Sequence, residues 1–363
     1  MMSEKTAATE PTMWQRIRPL MGSLQGYLGL VLIIIIGIAT QAERFLSLNN
    51  LTNAVAYFAP RGILAIGMTL IIITGGIDLS VGAVLAIGGT LSAWLLVEQN
   101  MPVGAILPIS LLVCALFGLI NGLGTALLKI QAFVMTLAMM TIARGIVREF
   151  SNNVSIGTVQ YNENGILPGS KDFQVLGQPG APLFDVPFLG SFPVLALLVT
   201  TIVAQIILSK TKLGRHIYAV GGNPTAARLS GVNVTLVLIF VYTFTGLLAG
   251  IAGPINAAYN ASADPTAGLT YELDAIAAVV IGGASLAGGK GTAIGTFIGA
   301  MILTLLDNVL GLNNFSANWQ LIIKGMIVVI AVVIQRPELF TEIGDSLRRK
   351  DKRQNKVAVQ ETH

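Results

Sequence analysis

Long apolar stretches, separated by short polar ones, run through most of the chain. A helix needs about 20 apolar residues to cross a hydrocarbon core about 30 Å thick. On this measure the sequence predicts ten membrane-spanning helices. They lie near residues 25–41, 54–76, 79–97, 103–127, 131–149, 192–209, 235–258, 270–286, 291–310 and 318–335.

The eighth predicted span, 270–286, is short and ends in glycines. Ten full crossings are therefore one alternative, and eight or nine crossings with a re-entrant segment are another. Either way the pattern predicts an all-α membrane protein, a polytopic helical bundle of about ten spans that includes short or broken helices. We divide the chain into an amino-terminal tail at 1–24, a transmembrane region at 25–335 and a carboxyl-terminal tail at 336–363.

The first span could also be a signal peptide, because Gly37-Ile38-Ala39 offers small residues at a cleavage-like spacing. We interpret it as a retained span. In either case Arg16 and Arg18 before the span favour a cytoplasmic amino terminus.

Composition agrees with a membrane protein. Charged residues make up 11% of the chain, against roughly 25% in soluble domains. The single Cys114 excludes an internal disulfide and suits a buried packing position. With His216 and His363 as the only histidines, the usual zinc sites are not expected.

The distribution of charge predicts the orientation of the chain. If both termini are cytoplasmic, most basic residues fall on the cytoplasmic side, as the positive-inside rule requires. The longest outer loop, 150–190, then carries Lys171 against Glu163, Asp172 and Asp185. Orientation and the basic tail 348–356, which suits anionic lipid, explain the net charge of +4 without nucleic acid.

The polar segment 219–234, AVGGNPTAARLSGVNV, lies between two apolar spans. Asn223 suits a helix cap, Pro224 the first turn and Gly231 a left-handed end, which together predict a helix of about two turns. Two turns are roughly 10 Å long, too short to cross a membrane. Two interpretations are open: a helix that docks on a cytoplasmic partner, or an interfacial helix in which Arg228 binds lipid headgroups.

Two glycine-rich segments share the pattern G-G-x-[DS]-L-[SA]-x-G, and each joins two apolar spans. They are 75–82, GGIDLSVG, and 282–289, GGASLAGG. Asp78 and Ser285 occupy matching positions and are predicted to cap the helix that follows. The segments are either plain hairpin turns or a gate or coupling surface. The candidate residues are Gly75, Gly76, Asp78, Ser80, Gly82, Gly282, Gly283 and Ser285.

The second glycine segment does not form a phosphate loop. The motif G-x-x-x-x-G-K-[ST] that ends at Lys290 would need glycine at 284 and serine or threonine at 291. The chain has Ala284 and Gly291 instead. We therefore expect any ATP hydrolysis to belong to a separate partner.

Several charged residues lie within predicted spans, where charge is costly. Four of them are expected toward the outer ends of their spans: Arg61, Arg144, Asp274 and Asp307. Arg61 lies about 10 Å into its predicted span. They form either a polar outer mouth or ion pairs and snorkelling side chains that serve structure alone. Arg148, Glu149 and Glu272 admit the same two interpretations.

Three segments resemble one family. They are 212–234, KLGRHIYAVGGNPTAARLSGVNV; GGIDLSVG at 75–82; and PTAGLTYELDAIAAVVIGGASLAGGKGT at 265–292. They resemble permease subunits of bacterial ATP-binding-cassette (ABC) sugar importers, in the branched-chain amino acid/ribose permease family, and most of all ribose permeases. The resemblance extends from about residue 28 to 335.

The resemblance implies a type II ABC importer fold in the bacterial inner membrane. It also implies a second permease copy, a cytoplasmic ABC ATPase and a periplasmic sugar-binding protein, with no cofactor. The segment 212–234 is then the cytoplasmic coupling loop. Its coupling residues are Gly221, Gly222, Asn223, Pro224, Ala226, Ala227, Arg228 and Gly231.

Under this resemblance the outer loop 150–190 either receives the binding protein or is an ordinary irregular loop. Ribose is the favoured sugar, and related permeases handle xylose, fructose and galactose-type sugars. Seven polar residues within the spans have two possible roles. They either line a path for a hydroxyl-rich ligand or form hydrogen bonds between helices: Asn121, Thr125, Thr136, Thr141, Asn256, Tyr259 and Asn308.

Three function classes compete. An importer permease requires an ATPase partner, a secondary carrier or channel works alone, and a membrane enzyme requires a catalytic cluster. The sequence shows no nucleophile–base constellation, which makes the enzyme the weakest of the three.

Overall fold

A computed structural model describes residues 13–163, 165–179 and 190–335. The parts of the predicted tails at 1–12 and 336–363, including the basic tail 348–356, lie outside the described residues, as does 180–189 of the predicted outer loop. The chain divides into two units, one up to Ser316 and one from Ala317 onward.

The first unit is built almost entirely of helices. They are α1 (Met13–Phe45), α2 (Leu48–Ile73), α3 (Val81–Val97), α4 (Val103–Ala126), α5 (Ala132–Phe150), α6 (Pro168–Gln174), α7 (Phe192–Lys210), α8 (Lys212–Gly222), α9 (Pro224–Leu229), α10 (Val234–Tyr259), α11 (Tyr271–Ile281) and α12 (Ala293–Leu312). The described part of the second unit contains α13 (Ala317–Gln335).

Four two-residue strands form two small antiparallel ribbons. Strand β1 (Ile156–Gly157) pairs with β4 (Ser262–Ala263), so that Ile156 lies opposite Ala263. Strand β2 (Tyr161–Asn162) pairs with β3 (Gly165–Ile166). We call the side of the first unit that carries β1 and β4 the ribbon end.

Every predicted span contains a helix, which confirms the all-α polytopic fold. In the described part of the chain, six helices are long and apolar enough to cross a membrane: α1 from Tyr27, α2, α4, α7, α10 and α12. Helix α3 is apolar but has only 17 residues. Helix α11 has 11 residues and is about 16 Å long, half a hydrocarbon core. The eighth predicted span is therefore a short helix followed by a glycine-rich loop.

Helices α2 and α10 form the centre of the first unit. Helix α10 packs against α2, α3 and α4, and α2 also packs against α7, α11 and α12. Every residue of α2 from Phe58 to Ile73 is buried. A transmembrane window of α2 is therefore enclosed by protein, while α4 exposes much of its apolar surface, as a helix facing lipid does.

Small residues allow α4 and α10 to approach closely. A Cβ atom on Gly118 of α4 would overlap the carbonyl oxygen of Tyr242, and one on Gly246 of α10 would overlap that of Cys114. Close backbone approach through glycine is typical of helix packing in membranes. Cys114 is fully buried in this contact, as expected for a packing residue.

Two helices begin beside each other after a break in the chain. Residues 74–80 separate α2 from the short helix α3, and residues 264–270 precede the short helix α11. A Cβ atom on Gly82 would overlap the carbonyl oxygen of Gly268, and the reverse also holds. The starts of α3 and α11 are therefore in direct contact.

Candidate functional site

The segment 219–234 folds as its local sequence predicts. The side chain of Asn223 accepts hydrogen bonds from the backbone N–H groups of Thr225 and Ala226, at 3.0 and 2.9 Å. Pro224 is the first residue of α9. Gly231 follows the helix with φ +84°, a left-handed conformation that glycine adopts without strain. The capped short helix is confirmed.

Helix α9 projects from the bundle. Residues 222–226 and 228–231 are exposed, and Ala227 is the buried residue between them, at 5% exposure. Leu229 is 86% exposed. This exposure leaves α9 accessible to a partner protein or to lipid headgroups, so it is compatible with both interpretations of the segment. We call this side of the first unit the docking end.

The glycines that precede α9 join the docking end to α2. The backbone N–H of Gly289 donates to the carbonyl oxygen of Ile73, the last residue of α2, at 2.8 Å. A Cβ atom on Gly221 would overlap the same oxygen and would lie 2.6 Å from the nitrogen of Gly289. The end of α2, the end of α8 and the loop 282–292 thus meet with no space for a side chain. We call this contact the glycine junction.

Two further contacts hold the glycine junction together. The hydroxyl of Tyr218 in α8 donates to the carbonyl oxygen of Gly291 at 2.6 Å. Partial burial raises the pKa of that hydroxyl above the usual tyrosine value. A Cβ atom on Gly288 would lie 3.2 Å from the nitrogen of Gly75. Both predicted glycine segments therefore lie next to the predicted coupling loop.

The two glycine segments differ in their hydrogen bonds, and the predicted caps are wrong. Ser285 accepts from the N–H of Ala287, while Thr292 caps α12 by accepting from Gly295 at 2.9 Å. Asp78 bonds to Ser80 and does not cap α3. The loop after Ser285 continues for several residues before α12 begins, so the cap falls to the residue at its end.

Asp78 instead organises a buried polar network between α2 and α3. Its Oδ1 accepts from the backbone N–H and the hydroxyl of Ser80, at 2.7 and 2.6 Å. The Asn121 amide in α4 donates to that hydroxyl at 2.8 Å. Thr136 of α5 accepts from the N–H of Leu79 and donates to the carbonyl of Ile77, each at 3.2 Å. The break at 74–80 is thereby fixed to α4 and α5.

Arg61 lies deeper than its predicted span indicates. Because α2 begins at Leu48 and not near residue 54, Arg61 is about 20 Å along the helix, at its middle. Its Nε lies 3.3 Å from Oδ2 of Asp274 in α11. Its Nη2 donates to the hydroxyl of Tyr57 at 3.2 Å. Two of the four predicted mouth residues, Arg61 and Asp274, are thereby brought together at the middle of α2.

Aromatic rings surround this pair. The Arg61 guanidinium carbon lies 4.7 Å from the ring centroid of Tyr57, 4.4 Å from that of Tyr271 and 5.6 Å from that of Phe58. Rings at these distances stabilise a cation through their negative faces. None of these three rings was predicted as part of a site, although Tyr57 lies one helical turn before Arg61, where side chains meet.

The other two predicted mouth residues have different surroundings. The Arg144 Nη1 donates to the carbonyl oxygens of Pro265 and Ala267, at 2.7 and 2.8 Å, and holds the loop 264–270. In that loop, hydrogen bonds from the Thr266 hydroxyl and backbone lower the pKa of Asp264. Asp307 lies in α12, partly buried, next to Asn308. Arg61 and Asp274 thus form an ion pair, whereas Arg144 holds the loop before α11.

The polar residues left open between two interpretations make contacts within and between helices. Thr125 and Thr141 each donate to the carbonyl four residues earlier. Asn308 exchanges two amide hydrogen bonds with Asn50, at 2.9 and 2.8 Å. Asn256 contacts Tyr271, and the ring of Tyr259 lies 5.6 Å from that of Tyr57.

The chain matches the protein family described as "Branched-chain amino acid transport system / permease component" over residues 50–332. It is 42% identical over 306 residues to the ribose import permease protein RbsC of Escherichia coli (strain K12), covering 84% of this chain and 91% of that protein. It is 40% identical over 320 residues to RbsC of Bacillus subtilis (strain 168), covering 87% and 93%. No solved structure matches it.

A polytopic bundle of apolar helices and a family match across most of its length define the class of this protein. The chain belongs to the family of branched-chain amino acid transport system permease components, as a multi-pass membrane permease of the ribose-permease-like ABC type. The resemblance drawn from the three sequence motifs is confirmed.

Proposed function

We propose that this chain is the transmembrane permease subunit of an ATP-driven importer that takes up a monosaccharide, with ribose as the best-supported substrate. Two of its relatives are named ribose import permeases at 42% and 40% identity. A galactose/methyl galactoside import permease of Escherichia coli (strain K12) and a xylose transport permease of Haemophilus influenzae are each 35% identical.

The observation that carries this proposal is the exposed helix α9 behind the glycine junction. A partner that presses on α9 pushes on α8, from which only the capping Asn223 separates it. Helix α8 contacts the end of α2 and the loop 282–292 through Gly221. These contacts join backbone to backbone, with no flexible side chain between them. A displacement of α9 therefore moves the end of α2 and also the loop 282–292, which joins α11 to α12.

We assign the partner at α9 as a cytoplasmic ABC ATPase. The predicted coupling residues then act through shape: Asn223 and Pro224 start the helix, Gly231 ends it, and Ala226 and Arg228 lie exposed on it. Gly221 transmits the motion, and Gly222 beside it is exposed, with open space where a side chain would lie. The glycine segments 75–82 and 282–289 belong to the same coupling surface.

The remaining assembly follows from this assignment. With α9 in the cytoplasm of a bacterial inner-membrane protein, both termini are cytoplasmic and the ribbon end is periplasmic. The loop 150–190 then faces a periplasmic sugar-binding protein, and a second permease copy completes the pore. The family resemblance supports these partners.

Uptake of labelled sugars tests the proposal in cells that lack the native chain. The chain is restored as the native form, as A226E/A227E/R228E, or as the conservative triple A226S/A227S/R228K. We expect the native and conservative forms to import ribose, and the acidic form to insert normally but import none. Normal uptake by the acidic form would contradict coupling through α9 and would favour a carrier that works alone.

A further inference from the structure

The paired charges at the middle of α2 lie at the inner limit of an exposed surface. Tyr57 is 43% exposed, and it is the last exposed residue of α2 before the buried stretch from Phe58 to Ile73. Arg61, one turn further along, is 9% exposed. The neighbouring Tyr259 ends α10 near β4, so this surface belongs to the ribbon end.

Arg61 keeps hydrogen-bonding capacity that the described residues do not use. Its Nη1 is buried and has no hydrogen-bond partner among them. A buried donor without a partner costs free energy, and five donors in a fixed fork make arginine suited to a ligand with several acceptor oxygens. A bound molecule that accepts from Nη1 would remove this cost.

The groups around Arg61 are those that suit a polyhydroxyl ring. Asp274 offers an acceptor carboxylate, and Asn256, only 7% exposed, offers an amide that lies 3.3 Å from the Tyr271 hydroxyl. The rings of Tyr57, Tyr259 and Tyr271 offer flat apolar faces beside these polar groups. Because the charges of Arg61 and Asp274 cancel, the site favours a neutral ligand over an anion or a cation.

The backbone near this cluster is built as it is at substrate sites in transporters. In secondary transporters, substrate sites lie near the bilayer midplane, where discontinuous helices meet. Here the short helices α3 and α11 begin beside each other, at Gly82 and Gly268. Asp274 lies in the first turn of α11, and its ion pair with Arg61 places that turn against the middle of α2.

We propose that Arg61, Asp274, Asn256 and the rings of Tyr57, Tyr259 and Tyr271 form a sugar-contacting subsite within the permease. The subsite receives a neutral monosaccharide from the ribbon end and holds it weakly at the middle of α2. The inference rests on the proposed import function. Helix α2 runs from the subsite to the glycine junction. The helix that contacts the sugar is therefore also the helix that α9 moves.

Protection of a thiol tests the subsite directly. The chain has a single cysteine, Cys114, and it is buried, so Asn53→Cys introduces one accessible thiol. Asn53 is exposed on α2 one helical turn before Tyr57, and it is not one of the proposed sugar contacts. Membranes that hold the permease and its ATPase are treated with a small methanethiosulfonate reagent, with and without ribose. At a ribose concentration of twice its Kd, mass action predicts labelling about threefold slower. The control Tyr161→Cys, 72% exposed in β2, should be labelled at the same rate with and without ribose.

Transport by an apolar double replacement gives a second measurement. Arg61→Met with Asp274→Leu removes both charges together and avoids an unpaired buried charge, which a single replacement would leave. We expect unchanged insertion and unchanged assembly with the ATPase. Ribose uptake should fall about tenfold or more below native, because one charged hydrogen bond to the sugar is lost. Tyr271→Phe should alter the ratio of ribose to xylose uptake, which a purely structural role would not change.

The outcomes separate the two proposals. If the native importer takes up no sugar, the proposed function fails. If the native importer works while ribose leaves the labelling of the Asn53→Cys chain unchanged, the subsite is overturned. Uptake by the double variant within twofold of native would overturn it as well. If the double variant does not insert, the thiol protection still decides.

Discussion

Asn223 caps helix α9, the helix that we propose contacts the ATPase. It supplies the acceptor for two backbone N–H groups that otherwise have no partner within a helix of six residues. Replacement of an asparagine cap by alanine costs about 1 kcal/mol. We expect Asn223→Ala to reduce sugar uptake severalfold with normal insertion, measured as the initial rate of uptake.

The matched control is Asn223→Asp, which keeps a capping oxygen at the same position. We expect its uptake to remain near native. Equal loss in both variants would indicate that the Asn223 amide itself contacts the ATPase, and native uptake by Asn223→Ala would show that the cap does not limit coupling.

At the residue scale, capping and turn preferences predicted the features that depend only on neighbouring residues in the sequence. Asn223, Pro224 and Gly231 begin and end α9 as cap and turn chemistry requires. Ser285 did not cap α12, because the position of a cap depends on where the loop ends, and that loop is held by Ile73 from another part of the chain. The pairing of Arg61 with Asp274 also required the packing of α2 against α11.

At the scale of elements, the glycine junction makes a paired prediction. A Cβ atom on Gly221 meets the backbone of Ile73 and Gly289, whereas one on its neighbour Gly222 meets nothing within 4 Å. Backbone atoms cannot move aside as a flexible side chain does. We therefore expect Gly221→Ala to separate α8 from α2 and to lower coupled uptake at least tenfold, about 1.4 kcal/mol of coupling free energy.

Gly222→Ala should retain near-native uptake, since both replacements change helix propensity equally and differ only in the space available. The measurement is sugar uptake with the amount of inserted chain determined in parallel. Similar uptake by the two variants would show that the junction does not carry the motion.

Hydrophobic patterning located the helices but not their breaks. Apolar length predicted a span at 79–97 and another at 270–286, yet α3 begins at Val81 and α11 ends at Ile281. Polar side chains hold the chain just before each helix begins: the Asp78 network holds the break before α3, and Arg144 holds the loop before α11. Helix α11 ends where Gly282 and Gly283 follow it. The β1–β4 ribbon joins residues distant in sequence, which no local pattern could indicate.

For the whole molecule, the orientation makes a prediction about sidedness. Leu229 at the docking end is 86% exposed, and Tyr161 in the 150–190 loop is 72% exposed. The native Cys114 is buried. A membrane-impermeant thiol reagent should reach Tyr161→Cys from the periplasmic side. It should reach Leu229→Cys only in inside-out vesicles. The reverse pattern would contradict cytoplasmic termini and a cytoplasmic α9.

The central claim is that this chain imports sugar only when an ATPase drives it through α9. The most direct measurement is labelled ribose uptake into proteoliposomes that contain the native chain alone, or the chain with its cognate ATPase and sugar-binding protein, with and without ATP. The account predicts ribose accumulation only in the complete system with ATP, and its loss in the A226E/A227E/R228E variant. Ribose accumulation by the chain alone, without ATP, would contradict it.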